Sequence, residues 1–176
     1  MNTTNRKLPN ILVSGTPGVG KSLMCRLLSE RTGLDWLEVS KLAIEHNCLE
    51  EYDEVYQCPI LDEDKLLDNM ESVMSEGGKI VDYHGVDFFP ERWFDIVFVL
   101  RTNNTILYDR LFERGYRGKK LTDNIDSEIF QIITEEARAS YRDAIVHELQ
   151  SNTMDEAMDN VNKICQWIEQ WTIDNQ

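Results

Sequence analysis

The sequence lacks the features that would place a chain in a membrane or outside the cell. Its longest run without a charged residue, Leu8–Gly20, is too short to cross a membrane. No apolar segment follows Arg6 and Lys7 in the manner of a signal peptide. The four cysteines form no C-x-x-C pair, which predicts free thiols in a reducing compartment. We therefore expect a soluble intracellular protein with no membrane partner.

Basic residues are scarce as well. The 176 residues include 18 Lys and Arg against 32 Asp and Glu, so the formal net charge is −14. Such a chain lacks the basic face that binding along a nucleic-acid backbone requires, which excludes broad nucleic-acid binding. Two interpretations of the acidity stay open: a basic protein partner, or solubility alone, which is the commoner cause. The length is that of one domain with a sizeable core.

One octapeptide carries clear chemistry. Gly15–Ser22 reads Gly-Thr-Pro-Gly-Val-Gly-Lys-Ser and fits G-x-x-x-x-G-K-[ST], a loop that binds nucleotide phosphates. Its glycines let backbone N–H groups turn toward phosphate oxygens, Lys21 supplies a positive charge, and Ser22 offers a hydroxyl to Mg²⁺. The alternative, a glycine turn beside a surface lysine, ignores the strand-like run before the loop and the helical spacing after it. The predicted ATP-binding residues here are Gly15, Gly18, Val19, Gly20, Lys21, Ser22 and Leu23.

Apolar runs alternate with helical patterns along the chain, which predicts an α/β fold with a parallel sheet covered by helices. Ser40 is a candidate cap for the second helix, and Thr153 with Glu156 forms a capping-box pattern at the last one. Leu49–Leu61 and Gly115–Thr122 follow neither pattern and are predicted to be irregular covers over the site. The predicted strands are Ile11–Ser14, Trp36–Val39, Lys79–Asp82, Ile96–Leu100 and Ile145–Leu149, and the predicted helices are Lys21–Arg31, Lys41–Asn47, Asp64–Glu76, Thr105–Arg114, Asp126–Asp143 and Met154–Trp171.

A second candidate motif ends the third predicted strand. Ile80-Val81-Asp82 places a carboxylate where a strand stops, about sixty residues after the phosphate loop, and Asp82 is predicted to orient Mg²⁺ together with Ser22. His84 follows two residues later and is a candidate for positioning a water molecule or accepting a proton. A structural role for a histidine in a turn is the open alternative.

A basic cluster follows further along the chain. Arg110, Arg114, Arg117, Lys119 and Lys120 place five of the 18 basic residues within eleven positions of an acidic chain. A closing cationic segment stabilises the charge that develops in phosphoryl transfer, so we interpret the cluster as a lid and Arg114 as its catalytic, ATP-binding residue. The alternative is a solvated loop. The sequence has no N-K-x-D motif, which argues against a GTPase.

With these residues in place, the chain resembles the P-loop nucleoside monophosphate kinases, and within them the adenylate kinase isoenzyme 6 family. The resemblance covers nearly the whole chain, and the Asp82-Tyr-His-Gly85 block is its specific mark, since ordinary adenylate kinases carry Asp-Gly-x-Pro-Arg there. The segments that carry it are Pro9–Lys21, Glu51–Asp64, Val81–Trp93, Lys119–Ile125 and Trp167–Trp171.

The resemblance implies a single three-layer domain over 1–176, with a five-stranded parallel sheet. It also implies an NMP-binding insertion at about 38–61 and a lid at about 113–123. The implied activity is transfer of the γ-phosphoryl group of Mg·ATP to AMP, with slow ATP hydrolysis and with Lys21, Asp82, His84 and Arg114 as catalytic residues. It further implies a role in maturation of the small ribosomal subunit, a basic ribosomal protein partner, and a location in nucleus and cytoplasm. We expect a monomer.

One position departs from the family pattern. Related kinases carry an arginine in the NMP helix that binds the acceptor phosphate, and Ile44 occupies that position here. Loss of a charge-assisted hydrogen bond to phosphate costs about 1.5–3 kcal/mol. Lys41 and Arg92 are the candidate acceptor-binding replacements. An ATP-driven assembly factor with weak AMP kinase activity is therefore the alternative function, whereas a kinase for shikimate or dephospho-coenzyme A lacks support from the Asp-Tyr-His-Gly block.

Overall fold

The centre of the fold is a parallel sheet of short, largely apolar strands. The computed structural model describes residues 5–53 and 58–176. Helices cover both faces of such a sheet, which accounts for the Val- and Ile-rich runs of the inner strands. The predicted five-stranded parallel sheet is confirmed. Its strands are β1 (Ile11–Ser14), β2 (Asp35–Glu38), β5 (Lys79–Asp82), β6 (Ile96–Arg101) and β7 (Val146–Gln150), in the order β2-β5-β1-β6-β7.

Two buried clusters fill the space between sheet and helices, one on each face. Successive residues of β1 serve opposite clusters: Ile11 and Val13 lie in the first, and Leu12 lies in the second. The first face carries α1 (Lys21–Thr32), α4 (Asn104–Glu113), α5 (Gly118–Ile129) and α7 (Met154–Asp174), and the second carries α2 (Val39–Glu45), α3 (Glu63–Glu76) and α6 (Ile132–Ser140). This arrangement is the predicted three-layer α/β fold.

The segment predicted to be irregular at Leu49–Leu61 contains a small antiparallel sheet. Its strands are β3 (Leu49–Asp53) and β4 (Cys58–Leu61), with Leu49 opposite Leu61 and Asp53 opposite Cys58. The prediction was wrong for these two strands, because backbone pairing between them orders residues whose acidic sequence shows no strand pattern. The part of the predicted segment at 54–57 lies outside the described residues.

The prediction of a single helix over Asp126–Asp143 was wrong. The chain forms α5 and α6 instead, and it turns between them at Gln131, whose φ is +57°. Leu121 of α5 packs into the first cluster, whereas Ile133 and Ala137 of α6 pack into the second, so the chain must pass from one face of the sheet to the other. The predicted irregular segment Gly115–Thr122 is likewise helical from Gly118 onward.

Helix capping agrees with the sequence at one end and differs at another. Thr153 caps α7, and its hydroxyl accepts a hydrogen bond from the Glu156 backbone N–H at 3.2 Å. Ser40 does not cap α2, because that helix already begins at Val39 and its capping position is Glu38.

Cys25, Cys48 and Cys165 are buried free thiols. Across residues 5–53 and 58–176, no helix has the length and apolar character needed to span a membrane.

Asn10 joins three chain segments at the amino end of the sheet. Its side chain is fully buried and donates to the carbonyl oxygens of Met74 and Trp93, at 2.8 and 2.9 Å. The Oδ1 atom of the same side chain accepts from the Lys79 backbone N–H at 3.1 Å. One amide therefore satisfies polar backbone groups of α3, β5 and the chain before β6.

We expect Asn10→Ala to lower the free energy of unfolding by about 3 kcal/mol, because three buried backbone groups lose their partner. Urea denaturation followed by circular dichroism measures this loss. Asn175→Ala is the control, since the Asn175 side chain makes a comparable hydrogen bond to Trp171 at an exposed helix end, and its expected effect is below about 0.5 kcal/mol. Equal losses at both positions would contradict the role of Asn10.

Candidate active site

The carboxyl ends of β1, β2 and β5 meet at one edge of the sheet and form the candidate site. Glu38 at the end of β2 lies in register with Asp82 at the end of β5, and Val13 of β1 lies in register with Asp82 on its other side. Ligands of open α/β sheets bind at this edge. The cavity there has a volume of about 280 Å³ and is lined by Pro17, Gly18, Gly20, Lys21, Ser22, Glu38, Ser40, Asp82, Tyr83, His84, Arg114 and Tyr116.

The phosphate loop follows β1 and depends on glycine at two crowded positions. The φ angles of Gly15 and Gly18 are +146° and +95°, in the left-handed half of conformational space. A Cβ atom on Gly15 would lie 2.8 Å from the carbonyl oxygen of Leu100, and one on Gly18 would lie 2.9 Å from the side chains of Leu107 and Leu111. The loop is therefore held tightly against β6 and α4.

Lys21 is the first residue of α1, and its ammonium lies inside the curve of the loop. It donates to the carbonyl oxygens of Gly15 and Thr16, at 2.8 and 3.1 Å. Burial lowers its pKa to about 8, and the negative charge of Asp82 opposes that shift. No side chain caps the N-terminus of α1, so the N–H groups of its first turn are available to an anion. The loop, Lys21 and this helix end form a site prepared for phosphate.

Asp82 is held by two donors from neighbouring elements. Its Oδ2 accepts from the Ser22 hydroxyl at 3.5 Å and from the Trp36 indole N–H at 3.2 Å. Burial raises the pKa of Asp82, while the Lys21 charge and the Trp36 hydrogen bond act against that rise. The Trp36 contact was not predicted, because its only sequence signal is membership of a strand whose neighbour in the sheet the sequence does not reveal.

The oxygen atoms of Ser22 and Asp82 fit Mg²⁺, which prefers hard oxygen ligands and retains several waters. Among the described residues, no group of three or more His, Cys, Asp and Glu side chains is arranged to hold a metal. One carboxylate and one hydroxyl match a metal ion that arrives with a nucleotide, because the phosphates and water supply its remaining ligands. Mg²⁺ as the cofactor of this site stays a prediction.

His84 faces the cavity from the turn after β5. Its ring lies 4.3 Å from the ring of Tyr83, and its backbone carbonyl accepts from the Ser14 hydroxyl at 3.2 Å. The residue is exposed to solvent. Desolvation of its ring, together with the positive charge of Lys21, lowers the pKa of His84 below its usual value. The imidazole is therefore neutral at physiological pH, and the lowered pKa makes it a weak base.

Arg114 lines the same cavity as the phosphate loop. Within the described residues, its guanidinium has no hydrogen-bond or ion-pair partner, so it is available to a ligand. Arg110, one helical turn earlier, donates instead to the carbonyl oxygens of Gly18, Ser151 and Asn152, at 3.2, 3.1 and 3.0 Å. Arg110 thus joins the phosphate loop to the chain after β7, a role that its place in the basic cluster did not predict.

The remaining cations of the predicted lid are bound within their own segment. The Arg117 guanidinium lies 3.4 Å from the centre of the Phe112 ring, and Lys120 lies 4.6 Å from that of Tyr116. Lys119 pairs with Asp123 at 2.7 Å. Of the five basic residues at 110–120, all of which the structure describes, only Arg114 lines the cavity. Closure of this segment stays a prediction.

The two candidate acceptor-binding cations do not line the cavity. Lys41 pairs with Glu38 at 2.8 Å, and its side chain is 70% exposed. Arg92 lies just before β6, near the amino ends of the strands, where it pairs with Glu71. Ile44 is 65% exposed on α2. The structure therefore brings together Lys21, Ser22, Asp82, His84 and Arg114, but not Lys41 and Arg92.

Comparison with known proteins assigns the family. Residues 11–131 match the family model described as an AAA domain. An adenylate kinase isoenzyme 6 homolog from Drosophila melanogaster is 53% identical over 163 residues, which cover 93% of each chain. The homolog FAP7 from Saccharomyces cerevisiae is 44% identical over 93% of this chain and 83% of its own. The chain belongs to the adenylate kinase isoenzyme 6 family. The family resemblance predicted from the sequence is confirmed.

Solved structures place this family member among the P-loop kinases by fold. Shikimate kinase from Acinetobacter baumannii, solved with shikimate, has a TM-score of 0.66 at 19% identity and covers 97% of this chain and 98% of its own. A gluconokinase from Sinorhizobium meliloti has a TM-score of 0.60 at 16% identity, with 97% and 99% covered. At such identities the likeness extends to the fold alone.

The Trp36 contact generates a prediction about pH dependence. The indole N–H stabilises the ionised form of Asp82, so Trp36→Phe removes a donor and raises the pKa of that carboxyl. A metal-binding Asp82 must be ionised, and the acid limb of kcat/KM for ATP is therefore expected to move to higher pH. A pH profile of ATP consumption measures the shift. Trp171→Phe, on α7, is expected to leave the profile in place, and an unmoved acid limb in Trp36→Phe would contradict the contact's role.

Proposed function

We propose that this protein binds Mg·ATP at the phosphate loop and transfers the γ-phosphoryl group to AMP. The observation that carries the proposal is that Lys21, Ser22, Asp82 and Arg114 line one cavity. The names of the curated relatives support adenylate kinase chemistry in particular. Membership of the family supports a nucleotide kinase, and we propose AMP as its acceptor.

In this reaction an oxygen of the AMP phosphate forms a bond to the γ-phosphorus, while the bond to the β–γ bridging oxygen breaks. Two molecules of ADP result, and no protein nucleophile is needed. Ser22 and Asp82 would hold Mg²⁺, which would neutralise charge on the β- and γ-phosphates when bound. Lys21 and Arg114 contribute positive charge near the transferring group, and alignment of two bound substrates is worth about 7–11 kcal/mol.

ATP hydrolysis is the second candidate, and the charge of the cavity lining favours it. The lining includes the Glu38 carboxylate, whereas Lys41 of α2 pairs with that carboxylate and is not part of the lining. A dianionic phosphate is disfavoured beside a carboxylate, whereas a neutral water molecule is not. In the hydrolytic reaction water attacks the γ-phosphorus while the bond to the β–γ bridging oxygen breaks, so that ADP and inorganic phosphate result. His84, which lines the cavity, is our candidate to accept the proton of the water.

We further propose a basic ribosomal protein as partner and a role in maturation of the small ribosomal subunit, in nucleus and cytoplasm. The support is the family resemblance, together with the acidic character of the segment from Glu50 to Asp64. That segment contains seven carboxylates at Glu50, Glu51, Asp53, Glu54, Asp62, Glu63 and Asp64, and no Lys or Arg. A surface of one charge sign favours a partner of the other.

Measurement of ADP and inorganic phosphate with Mg·ATP, in the presence and absence of AMP, separates the two reactions. Lys21→Ala is expected to lower both rates by about a hundredfold or more, because the phosphates lose a preorganised charge. His84→Ala is expected to lower phosphate release more than ADP formation from AMP. Excess ADP that depends on AMP and Lys21 supports the kinase. Slow phosphate release that ignores AMP and needs His84 contradicts it in favour of hydrolysis.

Ile44→Arg tests the acceptor side directly. We expect it to lower KM for AMP by about tenfold, because a guanidinium on α2 adds a charge-assisted hydrogen bond to the acceptor phosphate. The exposed position of Ile44 makes the substitution compatible with the fold. Ile44→Met is the matched control, since it has a long side chain without charge, and its expected change in KM is below about twofold. An unchanged KM in Ile44→Arg would show that the acceptor phosphate does not approach α2.

A further inference from the structure

A buried carboxylate from outside the phosphate loop holds that loop. Glu128 lies near the end of α5 and is 4% exposed. Its Oε2 accepts from the Thr16 hydroxyl at 2.7 Å, and its Oε1 accepts from the Arg101 Nε at 2.5 Å and from the Thr102 backbone N–H at 3.3 Å. A buried carboxylate is costly unless it is paired and hydrogen-bonded, and both oxygens of Glu128 are satisfied in this way.

Thr16 connects Glu128 to the phosphate-binding lysine. Its side chain is 1% exposed and donates to Glu128, while its backbone carbonyl accepts from Lys21 Nζ at 3.1 Å and from the Val19 backbone N–H at 3.3 Å. One residue of the loop is therefore fixed on both sides. The side chain faces α5, and the backbone faces the site where nucleotide phosphates are expected.

Neutralisation of the Glu128 charge does not by itself account for the hydrogen bond from the Thr16 hydroxyl. Arg101 already pairs with Glu148 at 3.0 Å and donates to the backbone carbonyl of Glu128 at 2.9 Å. These contacts hold the Arg101 side chain against β7 and the end of α5 whether or not Thr16 has a hydroxyl. The hydrogen bond from Thr16 is the part of the network that reaches the phosphate loop.

The position of α5 in the chain gives this contact a further consequence. The helix begins at Gly118, four residues after Arg114, and its last turn is fastened to the loop through Glu128. The segment that presents Arg114 to the cavity is thus connected to the phosphate loop at both ends, since Arg110 of α4 also donates to the carbonyl of Gly18 at 3.2 Å.

We propose that Glu128 is a positioning residue, which through Thr16 holds the phosphate loop open for a nucleotide and links the loop to α5. Nothing in the reaction requires Glu128 to touch a substrate. Its effect is preorganisation, because a loop already fixed in the binding shape loses less conformational freedom when the phosphates arrive. The inference rests on nucleotide binding by this site, but not on which acceptor is used.

Thr16→Val removes the hydroxyl and keeps the shape of the side chain, whereas Thr16→Ser keeps the hydroxyl. We expect Thr16→Val to weaken binding of Mg·ADP, measured by calorimetry, by about tenfold, which is the low end for a hydrogen bond to a charged group. Thr16→Ser is expected to restore most of the affinity. In a Glu128→Gln background, Thr16→Val is expected to cause less than about a threefold further loss, because the two side chains act through one contact.

Hydrogen exchange supplies the readout that a purely structural role would not give. Without nucleotide, Thr16→Val is expected to speed exchange of amides in both the loop and the end of α5, while α3 is unchanged. Mg·ADP is expected to protect α5 amides in the wild type, and this protection is expected to diminish in Thr16→Val and to return in Thr16→Ser.

Wild-type affinity and unchanged α5 exchange in Thr16→Val would overturn the proposal. Failure of the proposed function is distinguishable, because a chain that binds Mg·ADP without turnover still gives the binding and exchange results. If the chain binds no nucleotide, exchange can still be measured in the free protein. The difference in α5 exchange between the wild type and Thr16→Val then decides the proposal.

Discussion

The ammonium group of Lys21 lies among backbone carbonyls at the carboxyl edge of a parallel sheet. The candidate site is built from the elements that hold the surrounding loop in this arrangement. Burial lowers the pKa of Lys21 to about 8, so the group gains from any anion that reaches the cavity. The surrounding glycines must pack closely against β6 and α4 to form the loop. Arg110 and Glu128 then hold the loop from outside. Phosphate binding is thus a property of several elements acting on one loop.

The cavity lining carries charges of both signs. Lys21 and Arg114 contribute positive charge, Glu38 and Asp82 contribute negative charge, and His84 lines the same space. The ion pair between Glu38 and Lys41 removes the nearest cation of α2 from the cavity. A donor site of this kind serves any acceptor, so the acceptor side decides between a nucleotide and water.

Sequence patterns correctly predicted the elements whose signal lies within a short stretch of the chain. The apolar runs of β1 and β5 and the capping pattern of Thr153 need only neighbours in the chain. The pattern failed over Asp126–Asp143, where the break at Gln131 arises because α5 and α6 bury their apolar residues on opposite faces of the sheet. The antiparallel pairing of β3 and β4 was also not predicted, because the sequence of one strand carries little information about which strand it pairs with.

By itself the sequence determined the phosphate-loop motif, the family and the α/β class, because each rests on residue types and apolar patterns that can be read along the chain. Only the tertiary structure decided which distant residues serve the site. It placed Trp36 on Asp82 and Glu128 on Thr16, and it placed Arg92 near the opposite end of the strands. In the contacts of Trp36 with Asp82, of Thr16 with Glu128 and of Glu71 with Arg92, the two partners lie 46, 112 and 21 positions apart in the chain. Strand order and helix packing set such distances, and the spacing of residues along the chain carries no record of them.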